Sequence, residues 1–335
     1  MTIGWGIIGC GWFTDNFIAP AVRKSKGADL IAFLSRSQDK AKKFMTKHNA
    51  KAAYSDMNAF LQDNRIEVVF IGTPNSLHHS QAIKAAEANK HVFCEKPMAL
   101  HSIQCREMIA ACHKSGVNLM VGYMLRFHPA HQEIRSLTTN GDIGKIIMLR
   151  CQFYVKYNEF DEGRWRMDPL LAGGGSLMDL GTHCLDLLEF LNTKIIEVSS
   201  FMNTLTTGSS VEDTLVASLH FQNDSYGMVD VCYSIDIGKE RYLEIYGDQG
   251  YVRTVGTISG YGGGKMEIVE NGESRIASYP PLDLYLPEID EFNASIRENR
   301  EPAITGEDGL RNLEIVEAIY RGAKKKTVEK IQSLQ

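Results

Sequence analysis

Short apolar runs punctuate the first third of the chain, at 3–8, 30–34, 68–71, 91–94 and 119–121. Each reads as a strand buried on both faces, where no polar alternation is needed. Between them lie 16–25, 38–48, 79–89 and 102–113, in which apolar positions recur at helical spacing. Strand–helix alternation of this kind predicts a doubly wound parallel sheet.

After Tyr123 the pattern changes. Residues 146–157, 214–221, 226–234 and 241–246 alternate partly with a period of two, and Asn223-Asp224-Ser225 and Gly247-Asp248-Gln249-Gly250 suit hairpin turns. The tract 259–264 is glycine-rich without a strand–helix frame and reads as a hairpin loop. Helices are expected at 176–191 and 286–298. The fold class is therefore α/β: residues 1–123 form a Rossmann-type parallel domain, and residues 124–335 an α+β domain with a large, mostly antiparallel, open-faced sheet. An open sheet face is commonly covered by oligomer formation, so a homodimer or homotetramer through the C-terminal sheet is expected.

Composition narrows the partners. The 335 residues suffice for two domains, and a net charge of −5 offers no electrostatic reason to bind nucleic acid or an anionic membrane. No apolar stretch reaches the length of a membrane span, and the chain enters a strand pattern at once, so no signal peptide is read. Lys324-Lys325-Lys326 fits a solvated helix terminus. The seven cysteines are scattered, odd in number and without a CxxC pair, which predicts reduced thiols, a cytoplasmic setting and no metal site.

Candidate chemistry begins with Gly9-Cys10-Gly11-Trp12-Phe13-Thr14, placed after the first strand and opening a helix. Gly9 and Gly11 permit a tight turn and close approach of a pyrophosphate, with Trp12 and Phe13 at the helix start; the alternative is a merely structural turn. Thr14 replaces the usual third glycine, which bears on strand–helix packing more than on phosphate contact. At the end of the second strand, Ser35 and Arg36 stand where a carboxylate would select NAD, which favours NADP(H) over NAD(H). A solvated loop charge is the plainer reading of Arg36. Thr73, Asn75 and His78 follow the fourth strand on the expected nicotinamide side. Equally, Ser76 caps the next helix while His78 satisfies a local carbonyl.

Lys96, in Cys94-Glu95-Lys96-Pro97, follows the fifth strand and is placed to polarise a substrate oxygen, with Glu95 beside it for a cation or the cofactor. Asp179 and His183 follow Gly173-Gly174-Gly175 and, four apart in a helix, share a face; a surface ion pair is the alternative. Histidine titrates near neutrality and suits proton transfer. Asp186 would support that helix end. Arg126 and His128 follow the sixth strand, and Tyr154, Tyr157 and Asn158 are further pocket candidates.

The glycine turn, Thr73-Pro74-Asn75, Glu95-Lys96-Pro97 and the Gly-Gly-Gly…Asp179…His183 run together resemble the glucose–fructose oxidoreductase/inositol dehydrogenase (Gfo/Idh/MocA) family over almost the whole chain. The resemblance implies a catalytic set of Lys96, Asp179 and His183, with His183 as acid/base and Tyr285 near the nicotinamide. Trp165 and Arg166 are similar to the sugar-binding segment of the family's NADPH-dependent 1,5-anhydro-D-fructose reductases, although a packed tryptophan and a surface charge would read the same way. The implied activity is hydride transfer between nicotinamide and a small polyhydroxylated substrate: a sugar, anhydrosugar or inositol. An NAD-dependent glycosidase and a non-catalytic sensor are the alternatives within the same resemblance.

Overall fold

Six parallel strands make the first sheet: β1 (Ile3–Ile8), β2 (Ala28–Leu34), β3 (Ala52–Tyr54), β4 (Val68–Ile71), β5 (His91–Glu95) and β6 (Leu119–Gly122). Their order, β3-β2-β1-β4-β5-β6, reverses direction between β1 and β4. That reversal brings the carboxyl ends of β1 and β4 side by side, the place where such sheets bind ligands. Trp5, Ile7, Phe33, Phe70 and Phe93 are fully buried, in keeping with unbroken apolar strands. β3, three half-buried residues long, left no apolar run to detect.

The structure, a computed structural model, describes residues 2–157, 164–236, 238 and 241–331. The chain divides into two compact units, one of residues 1–122 with 285–310, the other of 123–284 with 311–335. A single boundary after residue 123 therefore does not describe the first unit, to which the chain returns at helix Tyr285–Arg297. The reason is packing. Phe292 lies 6.0 Å from Trp5 and 5.6 Å from Phe93, and Trp5 Nε1 donates to Asn293 Oδ1 at 3.0 Å.

Among its described residues the second unit holds nine strands: β7 (Ile146–Tyr154), β8 (Ile195–Asn203), β9 (Thr214–Phe221), β10 (Tyr226–Cys232), β11 (Tyr242–Gly247), β12 (Gly250–Val255), β13 (Gly264–Glu270), β14 (Glu273–Tyr279) and β15 (Glu329–Lys330). The sheet runs β14-β13-β12-β11-β7-β10-β9-β8-β15, antiparallel except for the central β7–β10 pair. Leu149, Cys151, Val229, Val231, Leu219 and Ile245 are buried on one face, while Met148, Val216, Tyr226 and Ile276 stay exposed on the other. That division is the expected open-faced sheet. All seven cysteines are buried and outside any disulfide, and among the described residues no helix is long and apolar enough to cross a membrane.

Candidate active site

In the first unit, β1 delivers the chain into the glycine turn. Gly9 has φ +106°, and a Cβ there would lie 2.6 Å from the Gly72 carbonyl oxygen. Gly11 differs, since a Cβ there would meet nothing within 4 Å. One glycine is demanded by the fold; the other leaves open space at a helix start. Such a cradle fits a pyrophosphate, whose charge would face backbone N–H groups. Burial pushes the Cys10 thiol between them up to about 12, so it stays protonated.

Thr14, at the third fingerprint position, is fully buried, and a π-helical turn, Thr14–Ile18, begins on it before helix Ala19–Lys24. Two local features account for the wider turn. Thr14 brings bulk to a position usually held by glycine, and Pro20 lacks the N–H of a regular α-helical bond. Trp12, Phe13, Phe17 and Tyr285 then form one aromatic cluster, with Tyr285 5.3 Å from Phe13 and 5.0 Å from Phe17. Trp12 is largely exposed, while Tyr285 is buried.

Ser35 follows β2, and its N–H donates to Tyr54 O at 3.1 Å. Arg36 is exposed beside it, and Ser37 caps helix Gln38–His48. His78 is buried with both ring nitrogens against carbonyls, Thr73 O at 2.8 Å and Pro97 O at 3.0 Å. Burial lowers its pKa, against the pull of those carbonyls. The ring thus ties the Thr73 loop to the Lys96–Pro97 turn, the local-carbonyl alternative read from the sequence. Asn75 is buried in the same turn, and Thr73 Oγ1 donates to Gln81 Oε1 at 2.8 Å. The Lys96–Pro97 bond is cis. Glu95 is buried, accepts from the Lys96 N–H at 3.2 Å, and occupies space that only a glycine at 122 leaves open.

In the second unit, Asp179 and His183 lie on consecutive pieces of one helical segment, the π-helical turn Leu177–Gly181 and helix Thr182–Leu191. Thr182 N–H donates to Leu177 O five residues back, so the α-helical same-face argument does not carry over to this pair. Asp179 Oδ2 accepts from the Tyr157 hydroxyl at 2.7 Å and lies 3.3 Å from Arg166 Nε. Burial works against the Arg166 charge, yet Asp179, with Tyr157 and Tyr233, holds its pKa above the ordinary value. The guanidinium also sits 4.6 Å over the Trp165 ring. His183 is buried with its ring 6.0 Å from Phe153. Tyr154 donates to Asp230. Asn158 lies outside the described residues.

Two predicted site residues have structural duties. Arg126 forms a forked pair with Asp186 (Nη2–Oδ1 2.6 Å, Nε–Oδ2 3.0 Å), which ties it to helix Thr182–Leu191. His128 caps helix Pro129–Asn140 through Nδ1, and its Nε2 donates to Gly263 O at 2.9 Å. Sequence reasoning missed Tyr233 and Glu212. Tyr233 packs edge-on against Tyr157 at 4.7 Å. Glu212 accepts from Gly175 and Leu177 N–H groups. No local signal marks either residue, because their partners are distant in sequence.

Two domain descriptions match the chain: the oxidoreductase family's NAD-binding Rossmann fold over residues 3–123, and its C-terminal alpha/beta domain over 135–332. The chain is 28% identical to the 1,5-anhydro-D-fructose reductase of Ensifer adhaerens, covering 95% of this chain and 96% of that one. It is 30% identical to the scyllo-inositol 2-dehydrogenase (NADP(+)) IolU of Bacillus subtilis (strain 168), covering 89% of each. Among solved structures, the aldose-aldose oxidoreductase of Caulobacter crescentus in complex with glycerol superposes with a TM-score of 0.91 at 29% identity, covering 98% of this chain and 100% of that one. With both domains matched in order, this chain belongs to the Gfo/Idh/MocA family of NAD(P)-dependent oxidoreductases.

Proposed function

We propose that this protein transfers a hydride between NADP(H) and the alcohol or carbonyl carbon of a sugar, anhydrosugar or inositol, with Lys96, Asp179 and His183 as its catalytic set. The observation that carries the reading is the second unit's constellation: an aspartate held by Tyr157 and Arg166, one helical turn before a buried histidine. When bound, the nicotinamide supplies the hydride chemistry. Gly9, Gly11, Trp12 and Phe13 would hold its pyrophosphate, and Thr73, Asn75, Glu95 and Tyr285 its nicotinamide half.

The proton is the protein's task. In the reductive direction the Lys96 ammonium polarises the carbonyl oxygen, and the His183 imidazolium donates a proton to it as charge develops. Asp179, its Oδ2 engaged by Tyr157 and Arg166, accepts from substrate hydroxyls and balances the histidine's charge. Trp165 offers a sugar a stacking face, and Arg166 offers hydroxyl contacts. Ser35 and Arg36, with no carboxylate before Asp39, support the preference for NADP(H), as does the NADP(+) of the Bacillus relative. Buried thiols outside any disulfide support a cytoplasmic setting.

The test is oxidation of NADPH and NADH, followed by absorbance, against ketoses, anhydrofructose and inososes, with the reverse assay on aldoses and inositols. Sustained turnover with NADPH is expected. Release of sugar without cofactor consumption would point instead to a glycosidase. Lys96→Ala and His183→Ala should each lower kcat by roughly 10²–10⁴-fold with cofactor affinity preserved, and Ser35→Asp should shift preference towards NADH.

A further inference from the structure

The geometry points to Glu212 as a positioning residue: its carboxylate holds the turn that presents Asp179 and His183, and hydride transfer depends on that hold. The inference rests on the catalytic reading of those two residues. Glu212 stands two residues before β9, more than thirty positions from the turn, and is nine-tenths buried. Its Oε2 accepts from the Gly175 N–H at 3.0 Å, and its Oε1 from the Leu177 N–H at 2.9 Å. The Tyr320 hydroxyl donates to the same Oε1 at 3.0 Å, and the Ser176 N–H donates to the Glu212 carbonyl at 2.9 Å. Three consecutive backbone N–H groups at the start of the helical segment are thus satisfied by one residue. A negative charge at a helix N-terminus is favourable there, where the first N–H groups have no partner within the helix.

Two of the three glycines follow from this clamp, and the first closes a helix. Gly173, at φ +80°, ends helix Pro169–Ala172. A Cβ at 174 would overlap the Tyr320 hydroxyl, and one at 175 would overlap the Glu212 carbonyl oxygen. Their absence lets Glu212 and Tyr320 close on the turn. A second path reaches Asp179 itself: Tyr233 donates to Gly175 O at 3.1 Å, packs on Tyr157 at 4.7 Å, and Tyr157 donates to Asp179 at 2.7 Å. The carboxylate is therefore connected to Asp179 both along the chain and through the tyrosines. Burial raises the pKa of Glu212, with the backbone N–H groups resisting the shift, in line with a group enclosed by its partners.

The experiment compares the full-length parent with Glu212→Gln, Glu212→Asp and Tyr320→Phe. Glutamine keeps the shape but turns an NH₂ towards a backbone N–H, breaking one half of the clamp. Expected for Glu212→Gln are an intact cooperative melt, cofactor affinity within twofold of the parent, and kcat lower by about 100-fold, the scale of a small misplacement of catalytic groups. KM should change far less than kcat. Glu212→Asp should recover part of the loss because it keeps both acceptors, and Tyr320→Phe should show a smaller loss. Turnover of Glu212→Gln within twofold of the parent would overturn the assignment, as would equal turnover in Gln and Asp. Hydrogen exchange of the 173–183 amides is read in the same samples and needs no substrate. Exchange at least tenfold faster in Glu212→Gln is expected, and unchanged exchange refutes the clamp even if the parent shows no hydride transfer. A parent without turnover but with the exchange response would count against the catalytic reading alone.

Discussion

Gly9 and Gly11 sit two residues apart in one turn under opposite constraints. Gly9 adopts a positive φ against the Gly72 carbonyl, whereas Gly11 borders open space. Gly11→Ala should therefore melt like the parent and weaken dinucleotide binding, with calorimetry reporting the difference. Gly175→Ala should do the reverse. Its methyl group would be driven into the Glu212 backbone, destabilising the fold by about 1–3 kcal/mol while leaving the dinucleotide turn alone. A denaturant titration checks the second; a parent-like midpoint would mean that the Glu212 segment can move aside. His131 offers a pH test of the same kind. Its ring faces Leu125 O and Thr257 Oγ1, and burial, with His128 adding to it, lowers its pKa to about 3. The folded state thus binds a proton later than the unfolded state does. Stability from this group is present above about pH 6.5 and is lost as pH falls towards 3. The thermal midpoint should fall across that window, less steeply in a folded His131→Asn variant.

Helix Thr182–Leu191 shows how an element is fixed from both sides. Its start is held by the π-helical turn and the Glu212 contacts, and Asn312 Nδ2 donates to Thr182 O at 2.9 Å. Further along, Asp186, nearly fully buried, is paired with Arg126, itself 5.4 Å over the Phe190 ring. Arg126→Ala would strand that carboxylate, and a loss of about 3–5 kcal/mol is expected. Replacing both partners with apolar residues of similar volume should recover most of it, because no buried charge is then left alone. Denaturant titrations of the two variants separate this duty from cofactor binding: the affinity for NADPH should not change in either. The two π-helical turns share a position: each opens a helical segment, and each shifts the side-chain directions that α-helical spacing would assign.

At the scale of the whole molecule, the chain builds its first unit from two stretches far apart in sequence. A fragment ending at residue 123 lacks Phe292 and Asn293, the partners of Trp5. It should show no cooperative melt, and joining the segment 285–310 to it should restore one. In the second unit, the open sheet face carries Met148, Val216, Tyr226 and Ile276. We propose that this face meets another copy in a homodimer or homotetramer. Light scattering should give a multiple of 37.4 kDa, and Val216→Glu with Tyr226→Glu should reduce it. A parent of monomer mass would refute this.

The sequence alone determined the parallel sheet, the glycine turn, the Glu-Lys-Pro turn and the helix after the glycine triplet, because each is written in local spacing, but not the π-helical start that carries Asp179. Fully buried strands need continuous apolar runs, and dinucleotide turns need glycines at fixed offsets. Weakly patterned strands such as β14, with most residues exposed, left no such record. Only the tertiary structure decided that residues 285–310 belong with the first sheet, that Arg126 serves Asp186, that His78 joins two loops, and that Gly174 and Gly175 accommodate Tyr320 and Glu212. These assignments depend on partners brought together by folding from distant positions. Local periodicity carries no information about such pairs, since hydrogen bonds and close packing are satisfied in space rather than along the chain.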